Sequence, residues 1–301
     1  MKTMFPEVLE SEGVPLQILK QGSKGGTLKL LIKFEDGAMA EYAALIYKKR
    51  KIVCLSSRTG KCGRSCGFCA TGTICEGKSR NITWAETLAV FFLIIKLASW
   101  LFTDKILASF MGQNEAMANA TNTCNAIFML SAHENFSFAV STIGQKENLI
   151  EFIKLVKSMG LKVKIQFSLH FPDQRVRQKH MPATKGNSLK DILNILEAYY
   201  KETGMEICVN YALFKELNCR INDFILLRRL LKGRDGFYVK FSEANTFYNP
   251  YTKILYAPSE GIFYAIGGRI LSAAGIKNKE FHSVNDIEGV ACGMMTSLYS
   301  E

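Results

Sequence analysis

The stretch Cys62-Gly63-Arg64-Ser65-Cys66-Gly67-Phe68-Cys69 puts three thiols at CxxxCxxC spacing on one tight loop. Thiolates are the usual ligands of iron–sulfur clusters, and a 4Fe–4S cluster takes four. Three local cysteines can therefore hold three irons and leave the fourth open to a ligand from outside. The alternative is a structural zinc site, with Cys75 as a fourth thiolate. Zinc sites more often show paired CxxC or Cys/His spacings, and no second pair follows here, so the spacing favours a cluster.

Composition bounds what surrounds this loop. The chain has 301 residues, enough for one large α/β domain or two ordinary ones. Nine cysteines, an odd number behind an acidic N-terminus without a signal-peptide core, point to a reducing, cytoplasmic setting. The most apolar run, Leu88 to Phe102, is interrupted by Lys96 and too short to span a bilayer, so a buried helix and no membrane partner are expected. The net charge is +11, from 38 Lys plus Arg against 27 Asp plus Glu, with basic runs at Lys48–Lys51 and Arg228–Arg234. Such a surface attracts phosphate backbones, although a merely solvated basic face has the same composition.

The elements that must position the loop follow from periodicity. Residues 1–25 show only weak helix signals. TLKLLIKF from Thr27 and AMAEYAALIY to Tyr47, joined at Glu35-Asp36-Gly37, form a β-hairpin. Lys51–Ser56 is a strand feeding the cysteine loop. Thr83 and Glu86 make a capping box for a helix running to about Phe102. Strands at KILASFMG, FSFAVSTI, LKVKIQFSLHF, MEICVNYALF and GFYVKFSEA then alternate with helices near 121–132, 146–158, 188–201, 221–231 and 259–273. Repeated β–α units predict a parallel sheet, and about six of them predict a partial (β/α)6 barrel preceded by a short hairpin extension. The expected division is 1–50 for the hairpin segment and 51–301 for the barrel. Chemistry in such folds sits where strands end, here at Met111–Glu115, Ser141–Gly144, Ser168–His170 and Glu243–Asn245.

These stretches, in this order behind the cysteine loop, resemble the RlmN/Cfr family of radical S-adenosylmethionine (SAM) RNA methyltransferases. The agreement comprises DG-x-x-x-E from Asp36 to Glu41, VCLSS with Cys54, FCATG, RNIT at 80–83 and STIG at 141–144. It continues through SLH-x-x-D-x-R at 168–175, MP at 181–182, Asn245 and DIEGVACGMM with Cys292.

The resemblance implies a 4Fe–4S cluster on Cys62, Cys66 and Cys69, with SAM on the open iron. It implies that Cys292 is methylated by one SAM, and that a 5′-deoxyadenosyl radical from a second takes a hydrogen from that methyl group. The resulting radical adds to an adenine ring carbon in RNA, and Cys54 releases the product by closing a disulfide onto Cys292. Glu41 is the implied proton acceptor; read without the resemblance it is an exposed glutamate at a strand end. Glu115, Asn114, Ser141, Ser168, Asn245 and His170 are the implied SAM contacts, His170 being equally readable as a hydrogen-bonded strand-end histidine. Phe68 is expected to shield the cluster. Cys75, Cys124, Cys208 and Cys219 match no motif and read as buried structural cysteines. The implied partners are ribosomal or transfer RNA and a flavodoxin-type or other low-potential electron donor.

Three departures qualify this. Asn114-Glu115-Ala116 stands where the family has Gly-Glu-Pro, Lys61 is an apparent insertion before Cys62, and the family's helical N-terminal accessory domain is largely missing. They motivate two other readings: a radical SAM enzyme acting on a peptide or small molecule, and an RNA-binding paralogue whose cluster is structural.

Overall fold

A computed structural model describes residues 8–11, 13–24, 27–48, 50–98 and 105–282. Cys292 and the DIEGVACGMM segment lie outside the described residues. The hairpin expected from the alternation at 27–47 forms as β3 (Thr27–Phe34) and β4 (Met39–Tyr47), with Gly37 supplying the positive φ of the turn. The segment ahead of it is also strand, not helix: β1 (Val8–Ser11) pairs with β2 (Val14–Lys24), and β2 with β3. A register shift between Ile18 and Lys20 explains the weak signal, because a bulge breaks the period-two alternation that identifies a strand. β5 (Arg50–Leu55) pairs antiparallel with β4 and continues the same sheet.

Six β–α units follow. They are β5–α2 (Trp84–Leu97), β6 (Ile106–Phe110)–α3 (Ala120–Leu130) and β7 (Phe136–Thr142)–α4 (Lys146–Ser158), then β8 (Val163–Ser168)–α6 (Leu189–Thr203), β9 (Ile207–Leu213)–α7 (Ile221–Leu231) and β10 (Phe237–Glu243)–α8 (Gly261–Ser272). The Thr83–Glu86 capping box opens α2 as expected. α2 ends at Leu97, and no helix among the described residues is long and apolar enough to cross a membrane. Among the later elements that the periodicity missed are α5 (Gln174–His180) and β13 (Lys277–Phe281). α5 has only seven residues, too few to show a helical period. β13 is a polar edge strand, parallel to β10.

One eleven-stranded sheet results, with neighbours in chain order from β1 to β10 and then β13. The parallel part never reverses its order, so successive right-handed crossovers put the crossover helices on one face and curl the sheet around the other. That curl brings Tyr47 of β4 to the far edge, where its ring lies 4.3 Å from that of Phe281 on β13. The barrel is partial: no backbone pairing joins those edges among the described residues.

The outer face carries the core. Val53, Phe110, Phe138, Ile165, Val209 and Phe241 pack against apolar residues of α2, α3, α4, α6 and α7 such as Phe91, Phe152 and Phe224. The inner face is polar. Gln166 donates to Ser109 Oγ at 3.2 Å and accepts from Lys240 Nζ at 3.1 Å, spanning alternate strands over the small Ala139 and Cys208.

Candidate active site

The cysteine loop leaves the carboxyl end of β5 and is fixed mainly by backbone hydrogen bonds. Cys62 N donates to Thr71 O, and Cys69 N to Cys66 O. Gly67 is gripped from both sides: its N–H donates to His180 O at 2.8 Å, and its carbonyl accepts from Asn249 Nδ2 at 2.9 Å. Burial pushes all three thiols up, Cys66 most strongly, and each thiolate would repel the others. A buried set of mutually repelling donors, with Glu115 adding further negative charge near Cys62 and Cys66, is chemically matched to a multivalent cationic group. Cluster thiolates each bind a different iron, so they stand wider apart than the ligands of one ion. Among the described residues no three such donors are gathered into a single-ion cage. Cys75, the fourth ligand of the zinc alternative, is turned elsewhere: its thiol lies 3.4 Å from Glu76 O and 3.7 Å from Gln113 Nε2.

Phe68 is half-buried and packs into an aromatic nest, 5.0 Å from Phe214 and 5.2 Å edge-on to His170. His170 takes a left-handed φ of 51° at the end of β8, and its Nδ1 accepts from Ala212 N at 3.0 Å. Burial, reinforced by Arg177 and Lys240, pushes its pKa down to about 3, so the ring is neutral with its proton on Nε2.

Glu115 is the strongest candidate for a ligand contact. Its Oε2 accepts from Ile143 N at 2.9 Å, and burial raises its pKa. Oε1 is buried without a hydrogen-bond partner, which is costly unless a ligand supplies a donor. Asn114 beside it has φ 70°, a backbone shape that glycine favours and asparagine tolerates. Its side chain turns away, donating to the carbonyls of Arg58, Thr59 and Gly60 at 3.1–3.4 Å. The departure from glycine thus keeps the backbone path and braces the segment before Cys62. Ser141 and Ser168 sit half-buried at the ends of β7 and β8, and Asn245 is exposed two residues beyond β10.

The antiparallel strands contribute the other two candidates. Cys54 pairs in register with Ala43 and Ser109, its side chain on the inner face. Glu41, one pleat repeat from Ala43, lies on that same face and is buried, not exposed. Its Oε2 is 3.0 Å from Lys29 Nζ, and its N–H donates to Gln113 Oε1.

Sequence reading passed over several residues that assemble this site. Arg177 of α5 is 1% exposed and donates to the carbonyls of Ile143, Ser168 and Leu169, tying the ends of β7 and β8 together. Burial lowers its pKa to about 10, so it stays cationic beside Cys66 and Glu115. Asn218, fully buried, holds His170 O and Ala212 O. The only local signal for Arg177 was its spacing three residues before His180, one face of a short helix.

No protein-family model matches the chain. Over 277 residues, 90% of its length, it is 30% identical to a probable dual-specificity RNA methyltransferase RlmN of Thermotoga sp. (strain RQ2), of which it covers 76%. Proteins of the same description in Thermotoga petrophila and Chlorobium chlorochromatii are 32% and 34% identical over 70% and 74% of the chain. The chain spans about 60% of the length of these two relatives. A radical SAM methyltransferase of Sphaerobacter thermophilus superposes with a TM-score of 0.80 at 26% identity, over 93% of this chain and 81% of that one. A spore photoproduct lyase, 10% identical with a TM-score of 0.54 over 77% of this chain and 76% of its own, shares the fold alone.

Proposed function

Because this chain belongs to the RlmN family of RNA methyltransferases, we propose that it methylates an adenine ring carbon in RNA through a methylated cysteine. The observation that carries the proposal is the convergence of the three loop thiols, two of them buried, with Glu115, whose Oε1 lacks a partner, at the strand ends of a partial barrel.

Bound there, a 4Fe–4S cluster and SAM would supply a methyl group and one-electron hydrogen abstraction, which an unactivated ring carbon requires. Cys62, Cys66 and Cys69 would hold three irons of the cluster, and Glu115 Oε1 would accept from the SAM amino group. Ser141, Ser168, Asn245 and His170 Nε2 surround the rest of that ligand, while Phe68 and its aromatic neighbours keep water out. Cys292 carries the methyl group, Glu41 takes the proton leaving the ring, and Cys54 frees the product by closing a disulfide with Cys292. The RNA is ribosomal or transfer RNA with the target base turned out of its stack. A flavodoxin-type or other low-potential protein donates the electron.

The test uses anaerobically purified protein with a reconstituted cluster and SAM, and mass spectrometry of the peptide containing Cys292. A methyl group on Cys292, absent from Cys292→Ala, is expected, followed by methyladenosine in added RNA. An unmodified Cys292 beside an intact cluster would remove methyl transfer from the reading.

A further inference from the structure

Against the cysteine loop a cavity of about 530 Å³ opens to solvent, sharing Tyr256 with the Phe68 nest. Its inner wall includes Gly67 itself, and its outer wall comes from the hairpin of β11 (Phe247–Tyr248) and β12 (Leu255–Tyr256). Lys61 and Lys179 line it, and none of its lining residues is an aspartate or glutamate. Tyr251, also in the lining, is 74% exposed, and Tyr248 beside it 53%.

This tyrosine is exposed without being loosely placed. Asn249, 2% exposed, accepts at Oδ1 from Tyr251 N and Thr252 N, both at 3.0 Å, while its Nδ2 holds Gly67 O. One buried side chain therefore fixes both the cysteine loop and the backbone that presents the ring. On the other side of Gly67, His180 Nδ1 and Tyr256 Oη are 2.8 Å apart and complete the wall. An exposed aromatic ring on a braced backbone, sharing the lining of a nucleotide-sized cavity with two lysines, offers what an unpaired nucleotide needs. The ring stacks the base and the ammonium groups meet phosphates.

We propose that this cavity is a subsite for an unpaired RNA nucleotide flanking the target, with its base on Tyr251 and its phosphates on Lys61 and Lys179. The inference rests on RNA being the substrate. Lys61, the residue inserted before Cys62, thereby gains a role in RNA contact. An acidic electron-transfer protein is the competing occupant; the exposed tyrosines favour RNA, because stacking needs an accessible ring face.

The experiment measures binding of a short fluorescein-labelled single-stranded RNA to the full chain by anisotropy across a salt series. Each lost phosphate contact lowers the log–log salt slope by about 0.7 for a single strand, so Lys61→Ala/Lys179→Ala should flatten it by about 1.4. Tyr251→Ala should weaken binding about five- to a hundredfold without lowering Tm, and Tyr251→Phe should restore it. Unchanged slope and affinity in variants of a wild type that binds RNA would overturn the subsite alone. So would intact RNA binding with lost binding of an acidic flavodoxin. A wild type that binds no RNA would overturn both the subsite and the RNA reading beneath it.

Discussion

Lys29 Nζ lies 3.0 Å from Glu41 Oε2, and both side chains are 4% exposed, on the inner face beside Cys54. The two strands that carry them are joined by the Asp36-Gly37 turn, which Arg80 ties to Glu86 of α2 at 2.6–2.7 Å. The buried pair gives each charge a close counter-charge at a place where water does not reach it.

Removing Lys29 takes a close counter-charge away from the buried Glu41. Lys29→Met should destabilise the protein by about 3–5 kcal/mol in urea denaturation. The double variant Lys29→Met/Glu41→Gln should recover much of that loss. Additive losses would show that the pair does not act as a unit.

His170 makes stability fall on the acid side. Its folded pKa, about 3, lies below the ordinary 6.5, so the unfolded chain binds a proton that the folded chain refuses. The contribution is complete above pH 6.5 and declines by about 1.4 kcal/mol per pH unit as pH falls towards 3. His170→Asn offers a non-titrating acceptor near the Nδ1 position and tolerates the left-handed backbone. Its stability should be flatter over that window; an unchanged acid limb would assign the effect to other groups.

Glu115 should affect stability and ligand binding in opposite directions. Its folded pKa is raised, so at neutral pH the buried carboxylate costs stability that a neutral side chain does not. Glu115→Gln should raise Tm in the absence of SAM. Hydrogen bonds to charged groups are worth about 1.5–3 kcal/mol, so the same change should weaken SAM about ten- to a hundredfold in anaerobic calorimetry. A lower Tm with unaltered SAM affinity would contradict both parts.

Gly67 has no room for a side chain, because a Cβ there would collide with Tyr256 Oη. Gly67→Ala should displace the loop and lower iron bound per chain after reconstitution. Gly67→Ala/Tyr256→Phe should restore part of it, since the hydroxyl is the nearest obstacle and the ring carbon behind it needs only a small shift. Full iron content in the single variant would mean that the loop does not depend on this wall.

Much of this was open to the sequence. The thiol spacing, the Asp36-Gly37 turn, the Thr83–Glu86 box and the alternation of β–α units are local patterns. Each is set by chemistry within a few residues, so each could be read along the chain. The places of Glu115 and His170 just beyond strand ends were likewise legible, because the alternation of elements sets where the strands stop.

The rest needed three dimensions. The pairing of Lys29 with Glu41 depends on the register of an antiparallel hairpin, and the insertion of Phe68 beside His170 on how the sheet curls. Arg177 and Asn249 reach backbone carbonyls 8–34 and 182 residues away, contacts that no spacing encodes. The sequence by itself determined which groups are present and which strand ends carry them. Only the tertiary structure decided which are buried, which charges meet and which polar atoms stay unpartnered, because burial and pairing depend on packing between segments far apart in the chain.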